Sequence, residues 1–239
     1  LYPPREDKKA PFYMYPVFLN LKGNLCVVLG GGKVAERKVK KLLKEKAEVL
    51  IISPEITDRI KELYKKNKVK LIRREYRFGD IPENALLVFE CTGDTEVAKK
   101  VRKECENKKV LLNSATVSEL CDFIVPASFQ RGSIHIALST EGKCSAFARA
   151  LREKIEGQIP YELSAKLNMI EKLRKNLKKQ KGKKEKEEDE ILLEISRLAV
   201  ENPHLPEKSF SKIIEEKIRK IKSKESKKGA KNKKRAKER

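Results

Sequence analysis

The chain has 239 residues, 57 of them Lys or Arg against 35 Asp or Glu, giving a formal charge of +22 and a charged fraction of 38%. At roughly one domain per 100–200 residues this predicts one or two domains with a real core, which excludes disorder of the whole, and the positive surplus favours anionic partners. Neither a run of about 18 apolar residues nor a basic stretch leading into an apolar one near the start is found, so no membrane span or signal peptide is expected and the reading is cytoplasmic.

The first predicted strand is Leu25–Leu29, followed by a helix from about Lys33 to Lys44 with Val34, Ala35, Val39, Leu42 and Leu43 on one side. Val49–Ile52 is the second strand. Ile56, Ile60 and Leu63 then mark a helix, Val69 and Leu71 a strand, Ala85–Cys91 a strand, Val97, Ala98 and Val101 a helix, and Val110–Leu112 a strand. This alternation predicts an α/β fold with a parallel sheet and helices on both faces.

After Asn113 the pattern changes. Phe123–Val125 and Ile134–Leu138, separated by the turn-like Gln130-Arg131-Gly132-Ser133, predict an antiparallel hairpin. Phe147, Leu151 and Ile155 have helical spacing from Ser145 onward, Pro160 interrupts it, and further helices are expected at about 161–178, 188–200 and 207–222. From Ile221 to Arg239 there are ten basic and two acidic residues, a composition that predicts a frayed or disordered end. The five cysteines Cys26, Cys91, Cys105, Cys121 and Cys144 lie far apart without a C-x-x-C pair, so they are read as reduced thiols and no metal site is expected.

The motif that carries chemistry is Gly30-Gly31-Gly32-Lys33-Val34-Ala35, which matches G-x-G-x-x-A where the first strand gives way to a helix. Gly30 permits the tight turn, Gly32 lets the backbone approach a pyrophosphate, and Ala35 allows close helix–strand packing. The helix N-terminus then offers amides and a positive dipole to a dinucleotide. No G-K-[ST] follows, which excludes a Walker A loop. The end of the second strand, where an acid should hold the ribose hydroxyls, reads Ser53-Pro54-Glu55; no Arg follows at once to take a 2′-phosphate, so NAD is favoured over NADP. Thr92-Gly93-Asp94 is expected to line the cofactor crevice.

At this point the sequence resembles the precorrin-2 dehydrogenase and sirohydrochlorin ferrochelatase family of siroheme synthesis, including the N-terminal region of siroheme synthase. The resemblance covers about residues 14–160. It rests on Tyr15-Pro16-Val17-Phe18-Leu19-Asn20-Leu21, Gly30 through Lys38, Asn113, Leu120-Cys121-Asp122-Phe123 with Pro126-Ala127, and Ser139-Thr140 through Ala148-Arg149. It implies NAD-dependent oxidation of precorrin-2 to sirohydrochlorin, in some members followed by Fe²⁺ insertion, by a homodimer. It also implies that Lys33-Val34 and Pro54-Glu55 touch the cofactor. The expected organisation is a Rossmann-like NAD-binding domain (1–114), a small α+β dimerisation region (115–159), a helical C-terminal domain (160–222) and a basic tail (223–239).

One departure concerns catalysis. The family often carries an Asp three residues after the Asn that ends the fifth strand, and here that residue is Thr116. A hydroxyl is no general base near neutral pH, so ferrochelatase activity is expected to be weak or absent. Asp122 is the nearest candidate to replace the carboxylate, with a hairpin-end residue bonded to backbone as the equal alternative. His135, on a strand face with Ala137 and Ser139, is a candidate proton shuttle against a structural role. For an anionic tetrapyrrole the candidate contacts are Asn113, Ser139, Thr140, Ser145 and Arg149, with Ser145 read as the cap of the helix that carries Arg149 and Arg152.

Two other functions fit parts of the sequence. A nucleotide-sensing regulator reading NAD would not need the hairpin and Arg149 region. Nucleic-acid binding through the Lys-rich end is expected to be weak and salt-sensitive at most, because aromatics are 6% of the chain and the Lys residues are interleaved with Glu at 183–190.

Overall fold

The structure is a computed structural model that describes residues 14–178 and 185–219. The expected basic tail lies outside the described residues. The chain forms two compact units, one ending at Val125 and the other beginning at Pro126.

The first unit is a five-stranded parallel sheet. In chain order it runs β1 (Leu25–Leu29), α1 (Lys33–Lys44), β2 (Glu48–Ile52), α2 (Asp58–Lys65), β3 (Lys70–Ile72), β4 (Ala85–Glu90), α3 (Thr95–Lys108) and β5 (Leu111–Ser114). The strands lie in the order β3-β2-β1-β4-β5, each pair parallel. Because successive strand residues point to opposite faces, Cys26 and Val28 of β1 enter one core with Val39, Leu42, Ile51 and Ile60, while Val27 and Leu29 enter another with Val88, Val101, Cys105 and Leu112. Each fully buried aliphatic side chain contributes about 1.5–3 kcal/mol over leaving it exposed. This is the Rossmann-like sheet that the alternating pattern predicts.

Local signals set the helix ends. Thr57 Oγ1 accepts from the Ile60 amide at 3.4 Å to start α2, and Asp94 accepts from the Glu96 and Val97 amides at 2.8 and 3.1 Å to start α3. The β3–β4 connection contains no helix. It is held instead by a two-pronged Arg74–Asp80 ion pair at 2.6 and 2.8 Å and by Glu104, which is fully buried and accepts from Tyr76 Oη and from the Gly79 and Ile81 amides, each amide at 2.9 Å.

Beyond β5 the chain makes a 3₁₀ turn at Ser118–Leu120 and folds back along the strand. The Asp122 amide donates to the Leu112 carbonyl at 2.8 Å, and the Phe123 ring meets Phe89 edge-on with centroids 5.5 Å apart. Phe123–Val125 therefore do not form the first strand of the hairpin, as the sequence pattern predicts. The core of the sheet takes Phe123, and Pro126, which has no amide to give, precedes a strand displaced along the chain.

That strand opens the second unit: β6 (Ala127–Arg131) pairs antiparallel with β7 (Ile134–Leu138) across a turn at Gly132, whose φ is +57°. The residues Gln130 and Arg131, expected in the turn, are strand residues. The chain continues through α4 (Ser145–Gln158), α5 (Glu162–Lys178), α6 (Glu185–Glu201) and α7 at residues 207–219. Leu173 and Leu177 of α5, Ile195 and Ala199 of α6, and Phe210 and Ile214 of α7 form one buried cluster. Buried beside it, the Lys166 ammonium donates to the Asn202 carbonyl at 2.7 Å and to the Pro203 carbonyl, capping the end of α6. Among the described residues no helix is long and apolar enough to cross a membrane.

Candidate functional site

The order of the strands reverses at β1, because the chain moves outward to β2 and β3 and then returns to place β4 on the other side of β1. In an open parallel sheet the crevice at that reversal, beyond the carboxyl ends of the strands, is where nucleotides bind. The three glycines stand there, and each answers a different constraint. Gly30 has φ +102°, and a Cβ on it would lie 2.5 Å from the Cys91 carbonyl oxygen at the end of β4. A Cβ on Gly31 would lie 2.1 Å from the Glu55 carbonyl oxygen. A Cβ on Gly32 would meet nothing within 4 Å, so the space over it is open.

Gly32 is also the N-cap of α1, and no side chain caps the helix there. Amides at the start of a helix, uncapped by a side chain and facing open space over a residue without a Cβ, fit a pyrophosphate. Lys33 and Val34 are exposed at this end, and Ala35 is fully buried against the sheet.

At the end of β2 the Ser53 side chain is buried and its Oγ donates to the Glu55 carbonyl at 2.6 Å. Its hydroxyl thus shapes the loop that presses on Gly31, whereas the Pro54 and Glu55 side chains face solvent. Arg73, at the end of β3, brings its Nε to 3.5 Å from the Pro54 carbonyl. Counting only the residues directly after β2 overlooks this guanidinium, which β3 delivers to the loop from 19 residues away.

The ends of β4 and β5 are joined by a carboxylate that the sequence reading passed over. Glu90, the last residue of β4, is 0% exposed. Its Oε1 accepts from the Thr92 amide at 2.7 Å, from Thr92 Oγ1 at 2.7 Å and from Thr116 Oγ1 at 2.8 Å, while its Oε2 accepts from Ser114 Oγ at 2.5 Å. The hydroxyls in turn accept from backbone: Thr116 from the Gly93 amide at 3.1 Å, Thr92 from the Asp94 amide at 3.2 Å, and Ser114 from the Thr116 and Val117 amides at 3.2 and 2.9 Å. The structure thus brings together Thr92 and Thr116, which the sequence places in separate roles. The available signal was an acid ending an otherwise apolar buried strand, with hydroxyl residues at two adjoining strand ends.

Asn113 lies inward of this network and is 7% exposed. Its Oδ1 accepts from Lys38 Nζ at 3.0 Å and its Nδ2 donates to the Phe123 carbonyl at 2.9 Å. Lys38, which the sequence reading quotes in the glycine motif without a role, lies 5.3 Å from the Phe89 ring centroid, and burial lowers its pKa from the usual lysine value. Burial pushes the neighbouring Cys91 thiol up to about 11, so that it stays protonated at neutral pH.

Asp122 uses both oxygens within the fold. One pairs with Arg102 Nη1 at 2.5 Å and the other accepts the Leu112 amide at 2.9 Å. In the second unit, His135 is exposed on β7 opposite Gln130. Ser139 Oγ accepts the Glu141 amide at 3.0 Å, and Thr140 Oγ1 bonds the backbone of Cys144. Cys144, not Ser145, caps α4: its Sγ accepts the Phe147 amide at 3.4 Å, and Ser145 is the first helical residue. The β-region backbone at Cys144 allows a thiol to do there what the sequence reading assigned to the adjacent hydroxyl. Arg149 pairs with Glu153 at 3.0 Å.

A sequence-family model described as “Putative NAD(P)-binding” matches residues 17–127. Among curated relatives, a siroheme synthase of Pseudoalteromonas atlantica is 33% identical over 164 residues, 69% of this chain and 35% of that protein. One of Thioalkalivibrio sulfidiphilus is 33% identical over 164 residues, 69% of this chain and 33% of that protein. The chain therefore spans about a third of the length of these relatives. A solved structure titled SirC, precorrin-2 dehydrogenase, superposes with a TM-score of 0.68 at 24% identity, covering 85% of this chain and 100% of that one, which shows a shared fold.

Proposed function

We propose that the chain is a member of the precorrin-2 dehydrogenase family and oxidises precorrin-2 to sirohydrochlorin with NAD⁺ in siroheme biosynthesis, a reading supported by the matched NAD(P)-binding model, the siroheme synthase relatives and the shared fold. The observation that carries the reading is the open space over Gly32 at the uncapped start of α1, at the reversal of the strand order. It makes the match to an NAD(P)-binding family a statement about specific atoms.

When bound, the oxidised nicotinamide nucleotide supplies the acceptor for a hydride and its electron pair. The residues of the chain do the rest. The loop Gly30–Ala35 holds the pyrophosphate, and the Ser53–Glu55 loop stands at the ribose end. Asn113 is held by Lys38 and Phe123 beneath the crevice. Ser139, Thr140, Ser145 and Arg149 remain the proposed contacts for the carboxylates of the tetrapyrrole. The positive surface speeds capture of so anionic a substrate, and the active species is a homodimer.

The proposal stops at dehydrogenation, because position 116 carries a hydroxyl where the family resemblance expects a carboxylate. The test is anaerobic incubation of the protein with precorrin-2 and NAD⁺, following NADH absorbance and the colour of sirohydrochlorin. Wild type forms NADH well above a Gly32→Asp control; equal traces remove the reading. Sirohydrochlorin with Fe²⁺ in the same vessel measures metal insertion separately, and a rate near the spontaneous one is expected.

A further inference from the structure

Removing two hydrogens from a substrate as a hydride and a proton requires a base as well as an oxidant. The carboxylate nearest the crevice ends of β4 and β5 is Glu90, and it is wholly buried, so it cannot touch a substrate itself. It reaches outward only through hydroxyls. From this geometry we propose that Thr116 and Glu90 form a proton path, Thr116 taking the proton the substrate loses and Glu90 taking the one Thr116 gives up. The inference rests on the dehydrogenase reading.

A threonine hydroxyl alone does not accept a proton near neutral pH. It does so when its own proton can leave in the same step. The Thr116 proton already points at Glu90 Oε1, 2.8 Å away, and the Gly93 amide at 3.1 Å fixes the hydroxyl from the other side. A hydroxyl has two lone pairs, so one remains for a proton arriving from the crevice, where Thr116 is half-buried. As the substrate's bond to hydrogen breaks, a new O–H bond forms on Thr116, its old O–H bond breaks, and an O–H bond forms on Glu90. The oxidised nicotinamide nucleotide takes the hydride with its electron pair, and the carboxylate ends neutral.

The other two hydroxyls on Glu90 are less suited. Ser114 Oγ has both lone pairs engaged by the Thr116 and Val117 amides and is 6% exposed. Thr92 is bonded within its own loop, to Glu90 and Asp94, whereas Thr116 is held from the β4 loop while belonging to the β5 loop. Thr116 is therefore the hydroxyl fixed by both walls. Glu90 is a positioning residue that acts through it.

The experiment compares Thr116→Val, Thr116→Ser and Glu90→Gln in the full chain, with precorrin-2 and NAD⁺ as probes. Thr116→Val keeps the shape and loses the hydroxyl; it is expected to lower kcat about 100-fold, with KM and the calorimetric affinity for NAD⁺ within about threefold of wild type. Thr116→Ser restores most of the loss. Glu90→Gln lowers kcat comparably, and the double variant is no worse than either single one. Carboxyl ¹³C spectra of the free protein read the same bond without turnover: the Glu90 resonance moves in Thr116→Val, one donor having been lost.

An active wild type whose Thr116→Val variant turns over within threefold of it, or whose loss follows Thr92→Val instead, overturns the path and leaves the dehydrogenase standing. A wild type that makes no NADH removes both. Should Glu90→Gln fail to fold, the Thr116 pair and the carboxyl spectra still decide.

Discussion

A Cβ on Gly31 would stand 2.1 Å from the carbonyl oxygen of Glu55, so the loop after β2 and the loop after β1 meet backbone to backbone at this one point. The two neighbouring glycines consequently separate stability from binding. Gly31→Ala drives a methyl group into a carbonyl that cannot swing aside and is expected to cost about 2–3 kcal/mol in urea unfolding. Gly32→Asp puts its side chain in open space and is expected to change stability by no more than about 0.5 kcal/mol. On the proposed reading its charge would face the phosphates, so NAD⁺ affinity by calorimetry is expected to fall at least tenfold, about 1.4 kcal/mol. Equal melting temperatures for the two variants would contradict this division.

The Arg102–Asp122 pair ties the segment after β5 to α3, with side chains only 17% and 8% exposed. Asp122→Ala removes one of the two carboxylates beside Arg102, Glu106 remaining at 2.7 Å, and also orphans the Leu112 amide, a loss of about 2 kcal/mol. Asp122→Asn keeps an acceptor for that amide and is expected to lose less. Denaturant midpoints of the two variants give the comparison.

Acid should loosen the β3–β4 connection early. Burial works against the Glu104 charge, but the donors Tyr76, Gly79 and Ile81 outweigh it and hold the carboxyl below the ordinary glutamate value of 4.5. The hydrogen bond from Arg74 holds Asp80 below 3.8 in the same way. A group whose folded value is depressed lends stability above its unfolded value, and loses it as pH falls through the folded one. Melting temperature should thus fall as pH drops below about 4.5, more steeply in wild type than in Glu104→Gln.

Lys166 carries the opposite sign. Burial lowers its pKa from 10.5, so between the folded and unfolded values the folded protein binds fewer protons and stability rises with pH. Lys166→Met keeps the aliphatic stem beside Phe210 but abandons the Asn202 and Pro203 carbonyls, and Lys166→Ala abandons both. Hydrogen exchange should quicken in α5 and α6 in the order Ala, Met, wild type, with exchange in the sheet of the first unit unchanged. Uniform quickening throughout the chain would count against a local role.

The parallel sheet and its glycine turn were legible because each rests on short-range chemistry: apolar runs of strand length, a helix face spaced at Ala35, Val39 and Leu42, and glycines where no Cβ fits. The start of the hairpin was misread because Phe123-Ile124-Val125 is as apolar as a strand; only the tertiary partner Phe89 reveals that it belongs to another core. The cap of α4 was misread because a thiol and a hydroxyl stand side by side, and backbone geometry chose between them. Glu90 was hidden for a different reason. Its role depends on Thr92, Ser114 and Thr116 arriving from two strand ends, and nothing about a lone glutamate beside Phe89 announces that convergence.

The buried carboxylate also gives this corner of the molecule a polarity. Since Thr92 and Thr116 turn their hydrogens inward and each accepts one amide, each keeps a single oxygen electron pair for the outward side of the corner. A group that meets this corner is therefore received by an N–H or O–H edge rather than by a carboxylate.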